Sequence, residues 1–220
     1  MTTVDLRLNA IIDPAVGGGH DIVDLARRVA TGGATLVQLR DKGGPTRAMV
    51  EEARAIKAVL IPFKVPLVVN DRVDVALAAG ADGVHVGQDD MAAADVRRLL
   101  GPAAIIGLSV SSIAEAEAAP VECIDYVGIG SVFATASKQL AKPPIGPEGF
   151  ARIAGVLRRR TSAMPACGIG GIDAGNAAAV IAHGADGVAV ISALSLTPDP
   201  AGAARALRDV IDGMLAKRGT

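Results

Sequence analysis

A six-residue motif occurs twice in this chain, and its placement constrains the fold more than any other feature. Ala79-Gly80-Ala81-Asp82-Gly83-Val84 returns as His183-Gly184-Ala185-Asp186-Gly187-Val188, 104 residues later, and Gly32-Gly33-Ala34-Thr35-Leu36 is a weaker copy. Glycine ends a helix in the left-handed backbone region that other residues enter only at a cost, and an apolar strand follows at once. Each copy therefore reads as a helix-to-strand joint. Strand-like runs recur over 6–12, 35–39, 66–69, 83–86, 104–108, 124–129, 164–169 and 187–191, with alanine-rich stretches between them, the first helical over 21–30. In the last stretch Ala203, Leu207, Val210, Ile211 and Met214 fall on one helix face. The pattern counts as eight strands and eight helices, and the close copies lie four βα units apart. It predicts one α/β domain over residues 1–220, a (β/α)8 TIM barrel with its active site at the C-terminal strand ends. An open doubly wound sheet is the alternative, weakened because no Gly-x-Gly-x-x-Gly follows the first strand.

Composition bounds the partners. Half of the 220 residues are hydrophobic but only 2% are aromatic, so Ala, Val, Ile and Leu must fill the core. A net charge of −1, with no basic face, argues against a nucleic-acid partner. No apolar run reaches the roughly 20 residues of a membrane helix, and residues 1–9 lack a secretory pattern. Cys123 and Cys167 form no CxxC pair and read as thiols of a reducing cytoplasm. A homo-oligomer is compatible with the sequence, which does not set the oligomeric state.

Several apolar runs end in groups that bind phosphate or metal. Gln38, Arg40 and Lys42 alternate at the end of one run, so they point one way while Leu39 and Asp41 point the other. Asn70-Asp71 ends the next run, and Asp89-Asp90 follow the fourth. Each aspartate taken singly reads as a helix cap. On adjacent strands they make a Mg²⁺ site, since that ion takes one or two carboxylates and fills its shell with water and phosphate. Ser109 ends the fifth run, as a helix cap or a phosphate donor. The long loop at 131–147 carries Thr135, Ser137 and Lys138, residue types suited to gripping a phosphate. Gly168-Ile169-Gly170-Gly171-Ile172 and Val190-Ile191-Ser192-Ala193 follow the last two strands, where such barrels commonly cradle phosphate on backbone N–H groups. His85 reads as a packed histidine, and His20 and His183 as loop and surface residues.

Together these motifs resemble the thiamine phosphate synthase family over nearly the whole chain. They are Gln-Leu-Arg-x-Lys at 38–42, Asn-Asp-Arg at 70–72, Gly-Val-His-x-Gly-Gln-x-Asp at 83–90, the hydroxyl–Lys loop at 135–138, Lys-Pro-Pro-x-Gly at 142–146 and Gly-Ile-Gly-Gly-Ile at 168–172. The resemblance implies a Mg²⁺-dependent transferase. It would join 4-amino-2-methyl-5-hydroxymethylpyrimidine diphosphate to a thiazole phosphate, releasing pyrophosphate and thiamine phosphate. It also implies that Gln38, Leu39, Arg40, Asp41, Lys42, Asn70, Ser109 and Lys138 hold the pyrimidine diphosphate, with Arg40, Lys42, Ser109 and Lys138 catalytic. Asp71 and Asp90 would bind Mg²⁺. Thr135, Ala136, Ser137, Gly171, Ile191 and Ser192 would hold the thiazole phosphate. Two rivals are a thiazole tautomerase on the same barrel and a catalytically silent relative. The first needs no diphosphate–metal site, and the second needs the loss of a contact that is present here.

Overall fold

The computed structural model describes residues 4–135, 143–161 and 164–219. Eight parallel strands close in sequence order, with the last pairing back on the first. They are β1 (Leu8–Ile12), β2 (Leu36–Leu39), β3 (Leu67–Asn70), β4 (Gly83–Val86), β5 (Ile105–Val110), β6 (Tyr126–Gly130), β7 (Ala166–Ile169) and β8 (Gly187–Val190). The helices between them are α1 (Ile22–Thr31), α2 (Thr46–Leu60), α3 (Val73–Ala79), α4 (Ala93–Leu100), α5 (Ile113–Ala118), α6 (Gly146–Arg160), α7 (Ala177–Ala182), α8 (Ser192–Ser195) and α9 (Pro200–Arg218). This is a (β/α)8 barrel, with α8 a short extra helix between β8 and α9 that the sequence pattern does not separate from α9.

Alternation along each strand divides the core. Leu8, Ala10 and Ile12 face outward into the layer shared with the helices. Ile11, Leu36, Val68, Ile105, Tyr126, Cys167 and Ala189 face inward and fill the barrel. Leu6, expected at the start of the first strand, joins the inner cluster instead, together with Val4. The reason lies at Gly187, where a Cβ would sit 1.8 Å from the Leu6 carbonyl oxygen. The glycine of the repeated motif admits the incoming chain to the barrel's N-terminal end.

The rest of the motif has an equally local cause. Asp82 Oδ2 accepts from Leu67 N at 2.9 Å, Asp125 Oδ2 from Ile106 N at 2.9 Å, and Asp186 Oδ2 from Ala166 N at 3.0 Å. Thr35 Oγ1 does the same for Leu8 N at 3.0 Å. A polar residue just before each even-numbered strand thus satisfies an N–H near the start of the odd-numbered strand beside it. A cation from the preceding even helix completes each carboxylate: Lys57 on Asp82, Arg97 on Asp125 and Arg158 on Asp186, which also takes Arg218 from the end of α9. The motif is a four-fold stitch at the N-terminal face, where a barrel places stability rather than chemistry.

Burial sets what each stitch is worth. The Asp125 side chain is fully buried, whereas Asp82 is 37% exposed. Stripping one partner from a buried pair costs roughly 3–5 kcal/mol, and an exposed pair contributes about 1 kcal/mol at most. Asp125→Ala is therefore expected to lower the Tm by about 10 °C, and Asp82→Ala by far less. Equal losses in thermal unfolding would show that burial is not the deciding factor.

Candidate active site

A cavity of about 810 Å³ opens at the C-terminal ends of the strands. Gln38, Arg40 and Lys42 line it from β2, Asn70 and Asp71 from β3, Asp90 from the loop after β4, and Ser109 from β5. Thr135, Gly171, Ile191 and Ser192 line it from the loops after β6, β7 and β8. Leu39 and Asp41 stand apart from this set. The Leu39 side chain is fully buried in the helix-facing layer, as the alternation requires. Asp41 Oδ1 turns back to accept from Gly43 N at 2.9 Å and Gly44 N at 2.8 Å. Ala136, Ser137 and Lys138 lie outside the described residues.

The β3 and β4 ends bring the carboxylates together. Neither caps a helix: the N-cap positions of α3 and α4 are Arg72 and Ala92, with no side-chain cap. Asp71 takes a left-handed backbone, φ 61°, unusual for a residue with a side chain. Its N–H donates to His85 O at 2.8 Å, which fixes the turn. Asp90 Oδ2 accepts from Gly87 N at 2.7 Å. Burial raises the Asp71 carboxyl above its ordinary range, the hydrogen-bonded Lys42 ammonium draws it down, and the Asp90 carboxylate within hydrogen-bonding reach pushes it up again; the net shift is upward. Two carboxylates held this close call for a cation. Among the described residues no cluster of three or more His, Cys, Asp or Glu is arranged to hold a metal. An oxygen-only pair with room for water and phosphate fits Mg²⁺ rather than zinc.

Beside the carboxylates, donors face the cavity. Asn70 Nδ2 is buried with no partner among the described residues, a cost that a ligand oxygen would remove. Arg40 pairs through Nη1 with Asp13, a residue only 2% exposed, while its other guanidinium N–H groups have no protein partner among the described residues. Asp13 follows β1 and accepts from Ala15 N at 2.9 Å. Sequence reasoning missed it because Asp before Pro reads as a turn; its position at a strand end was the available signal. Ser109 is likewise no cap, since Ser112 caps α5 through Glu115 N at 3.2 Å.

Opposite these groups, the loop before α6 docks onto the end of β7. Val132 N donates to Ile169 O at 2.8 Å and Phe133 N to Gly170 O at 2.9 Å. At Gly171, φ 64°, a Cβ would meet Ala134 O at 2.2 Å. The glycine therefore seats the segment leading to Thr135. The first N–H groups of α8, at Ser192 and Ala193, have no intrahelical acceptor, as at any helix start. Loops after β7 and β8 plus a short extra helix are the common phosphate cradle of this architecture.

A family model for thiamine monophosphate synthase matches residues 8–194. This chain belongs to that family. Thiamine-phosphate synthase of Agrobacterium fabrum is 49% identical over 218 residues, covering 99% of both chains. That of Moorella thermoacetica is 47% identical over 204 residues, covering 93% of this chain and 95% of the relative. The solved thiamine phosphate pyrophosphorylase of Pyrococcus furiosus superposes with a TM-score of 0.84 at 36% identity, over 96% of this chain and 98% of that one.

Family membership does not draw Cys167 into the chemistry. Its side chain lies inside the barrel with Sγ 3.6 Å from Val127 O, and burial pushes the thiol up to about 12. No thiolate forms there near neutrality.

Proposed function

We propose that this cavity joins 4-amino-2-methyl-5-hydroxymethylpyrimidine diphosphate to a thiazole phosphate, releasing pyrophosphate. The observation that carries the reading is the division of the cavity. Arg40, Lys42, Asn70 and the Asp71–Asp90 pair stand at β2–β4, and the glycine loops with α8 stand at β6–β8. Two phosphorylated substrates need two anion sites. A tautomerase would need no paired carboxylates beside a lysine.

Asp71 and Asp90 would hold Mg²⁺, which when bound supplies positive charge to the diphosphate leaving group. Arg40, kept in place by Asp13, binds diphosphate oxygens, and Lys42 adds a second cation. Gln38 and Ser109 hold the pyrimidine ring, with Lys138 completing the set by resemblance. Thr135, Ala136, Ser137, Gly171, Ile191 and Ser192 take the thiazole phosphate. The thiazole nitrogen attacks as a neutral nucleophile with no proton to lose, so no general base is required. Charge stabilisation of departing pyrophosphate then supplies most of the catalysis. That favours bond breaking ahead of attack. The protein works in the cytoplasm; among the described residues no helix is long and apolar enough to cross a membrane.

Pyrophosphate release from the two purified substrates tests the reaction, and no release would sink it. Two variants test the division. Lys42→Ala is expected to raise KM for the pyrimidine diphosphate on the order of tenfold, with little change for the thiazole phosphate. Gly171→Val displaces the segment at Ala134 and should raise KM for the thiazole phosphate instead. The same pattern of losses in both variants would argue for a single undivided site.

A further inference from the structure

From the cavity wall inward, the side chains of Ser109, His85 and Tyr126, on three strands, form one hydrogen-bonded line. His85 on β4, Gly107 on β5 and Tyr126 on β6 are level in the strand register and all face inward. The missing side chain in the middle makes the contact possible. A Cβ on Gly107 would lie 2.2 Å from Tyr126 Cζ and 2.4 Å from His85 Nδ1. Across that gap the Tyr126 hydroxyl lies 3.0 Å from His85 Nδ1, with ring centroids 5.4 Å apart. His85 Nε2 lies 2.9 Å from Ser109 Oγ, one inward position further along β5 and on the cavity wall. Gly128, paired with Ser109, leaves room for the imidazole edge, a Cβ there falling 3.2 Å from His85 Cε1.

The polarity of this line follows from its buried end. Tyr126 is fully buried among apolar side chains, and His85 Nδ1 is the one hydrogen-bond partner of its hydroxyl among the described residues. If Nδ1 carried the proton, the phenol would accept it and leave its own O–H buried and unmatched, which buried donors avoid. The phenol therefore donates, Nδ1 accepts, and the neutral ring carries its proton on Nε2. Nε2–H then donates to Ser109 Oγ. The serine's own proton is left to point into the cavity.

Given the reaction proposed above, we propose that Tyr126 and His85 are positioning residues that fix the Ser109 hydroxyl as a donor toward a lone pair of the pyrimidine diphosphate. A serine alone rotates its hydroxyl freely between donor and acceptor; this one is set from the buried Tyr126 through His85, which stands between them at the cavity floor.

Three measurements on the full chain test this. Nitrogen-15 NMR of His85 at neutral pH is expected to show a bare Nδ1 and a protonated Nε2, and a loss of that preference in Tyr126→Phe. A wild-type protein with the proton on Nδ1 overturns the proposal, whether or not the variant folds. In steady-state kinetics, Ser109→Ala should raise KM for the pyrimidine diphosphate about tenfold and leave that for the thiazole phosphate unchanged. Tyr126→Phe should raise the same KM about threefold. The double variant should be no worse than Ser109→Ala; losses that simply multiply would mean that Tyr126 acts through packing. Inhibition by pyrophosphate and by the undiphosphorylated pyrimidine alcohol locates the lone pair. Ser109→Ala should weaken one of them, and weakening neither counts against the donor role. A wild-type protein that releases no pyrophosphate would sink the reaction while leaving the tautomer result to stand alone.

Discussion

Asp71→Asn and Asp90→Asn are each expected to lower kcat on the order of a hundredfold or more, while the fold survives and the metal-free protein loses no stability. Asn keeps the shape of the side chain and removes the charge that would hold Mg²⁺. The stability half of the expectation follows from the sign of the Asp71 shift. Burial and Asp90 raise its carboxyl above the ordinary 3.8, so in the absence of a cation the folded protein binds more protons than the unfolded chain. The contribution of Asp71 is then complete below 3.8 and is lost as pH rises through the raised value. Asp71→Asn removes that loss. In chelator its stability should match wild type at low pH and exceed it once pH has passed through that window. Added Mg²⁺ should reverse the order, because an ion at a hundred times its Kd stabilises the binding form by about 2.7 kcal/mol and the variant cannot use it. Thermal unfolding across pH, with and without Mg²⁺, reads this separately from activity. Full turnover in chelator, or Mg²⁺ stabilisation that persists in both variants, would remove the metal from this pair.

The barrel was legible because its joints repeat and its strands are apolar runs. The physical content of the joint was not. A left-handed glycine before a strand explains Gly80 (φ 65°) and Gly184 (φ 97°), but the Asp that follows works across the sheet on a neighbouring strand. Such a contact has no signature in local spacing. Asp125 performs the same task in a Cys-Ile-Asp-Tyr context that shares almost nothing with the motif. Strand ends erred for a similar reason. Leu6 is as apolar as its neighbours, and only the crossing beside Gly187 shows that it leaves the sheet.

At the cavity, side-chain direction was the readable part. Alternation put Gln38, Arg40 and Lys42 on one side and Leu39 on the other, and the cavity divides them in that way. Competition between roles was not readable. Asp71, Asp90 and Ser109 each sit where a cap is common, and each is spared that work: α3 and α4 begin without a side-chain cap, and Ser112 takes the start of α5. Gly171 was expected to bare an amide to phosphate; its missing side chain also admits Ala134 O, so one glycine shapes two loops. His85 reads as packing in the sequence because its partners, Tyr126 and Ser109, lie 41 and 24 residues away.

The largest effect is expected from the substrate rather than the protein. Replacing the 2-methyl group of the pyrimidine diphosphate by trifluoromethyl should slow the chemical step by about a thousandfold or more. On the proposed reading, positive charge gathers for the leaving group from Arg40, Lys42 and the cation that Asp71 and Asp90 would hold, and the thiazole nitrogen has no proton for a base to remove. His85, at the cavity floor, is tied to Tyr126 and Ser109. An arrangement of that kind assists departure of pyrophosphate more than attack by the thiazole nitrogen. Early departure leaves positive charge on the benzylic-type carbon, spread into the ring by the amino group. An electron-withdrawing substituent opposes that spread, and each 1.4 kcal/mol of lost cation stabilisation costs about tenfold in rate. The exchange of three hydrogens for fluorines adds little bulk, so ground-state binding should change far less than the rate. Single-turnover measurement with saturating thiazole phosphate separates the two. A rate within a few fold of the natural substrate would mean that the thiazole nitrogen attacks while the carbon–oxygen bond is still intact, with the cations serving to bind both substrates rather than to draw the diphosphate away.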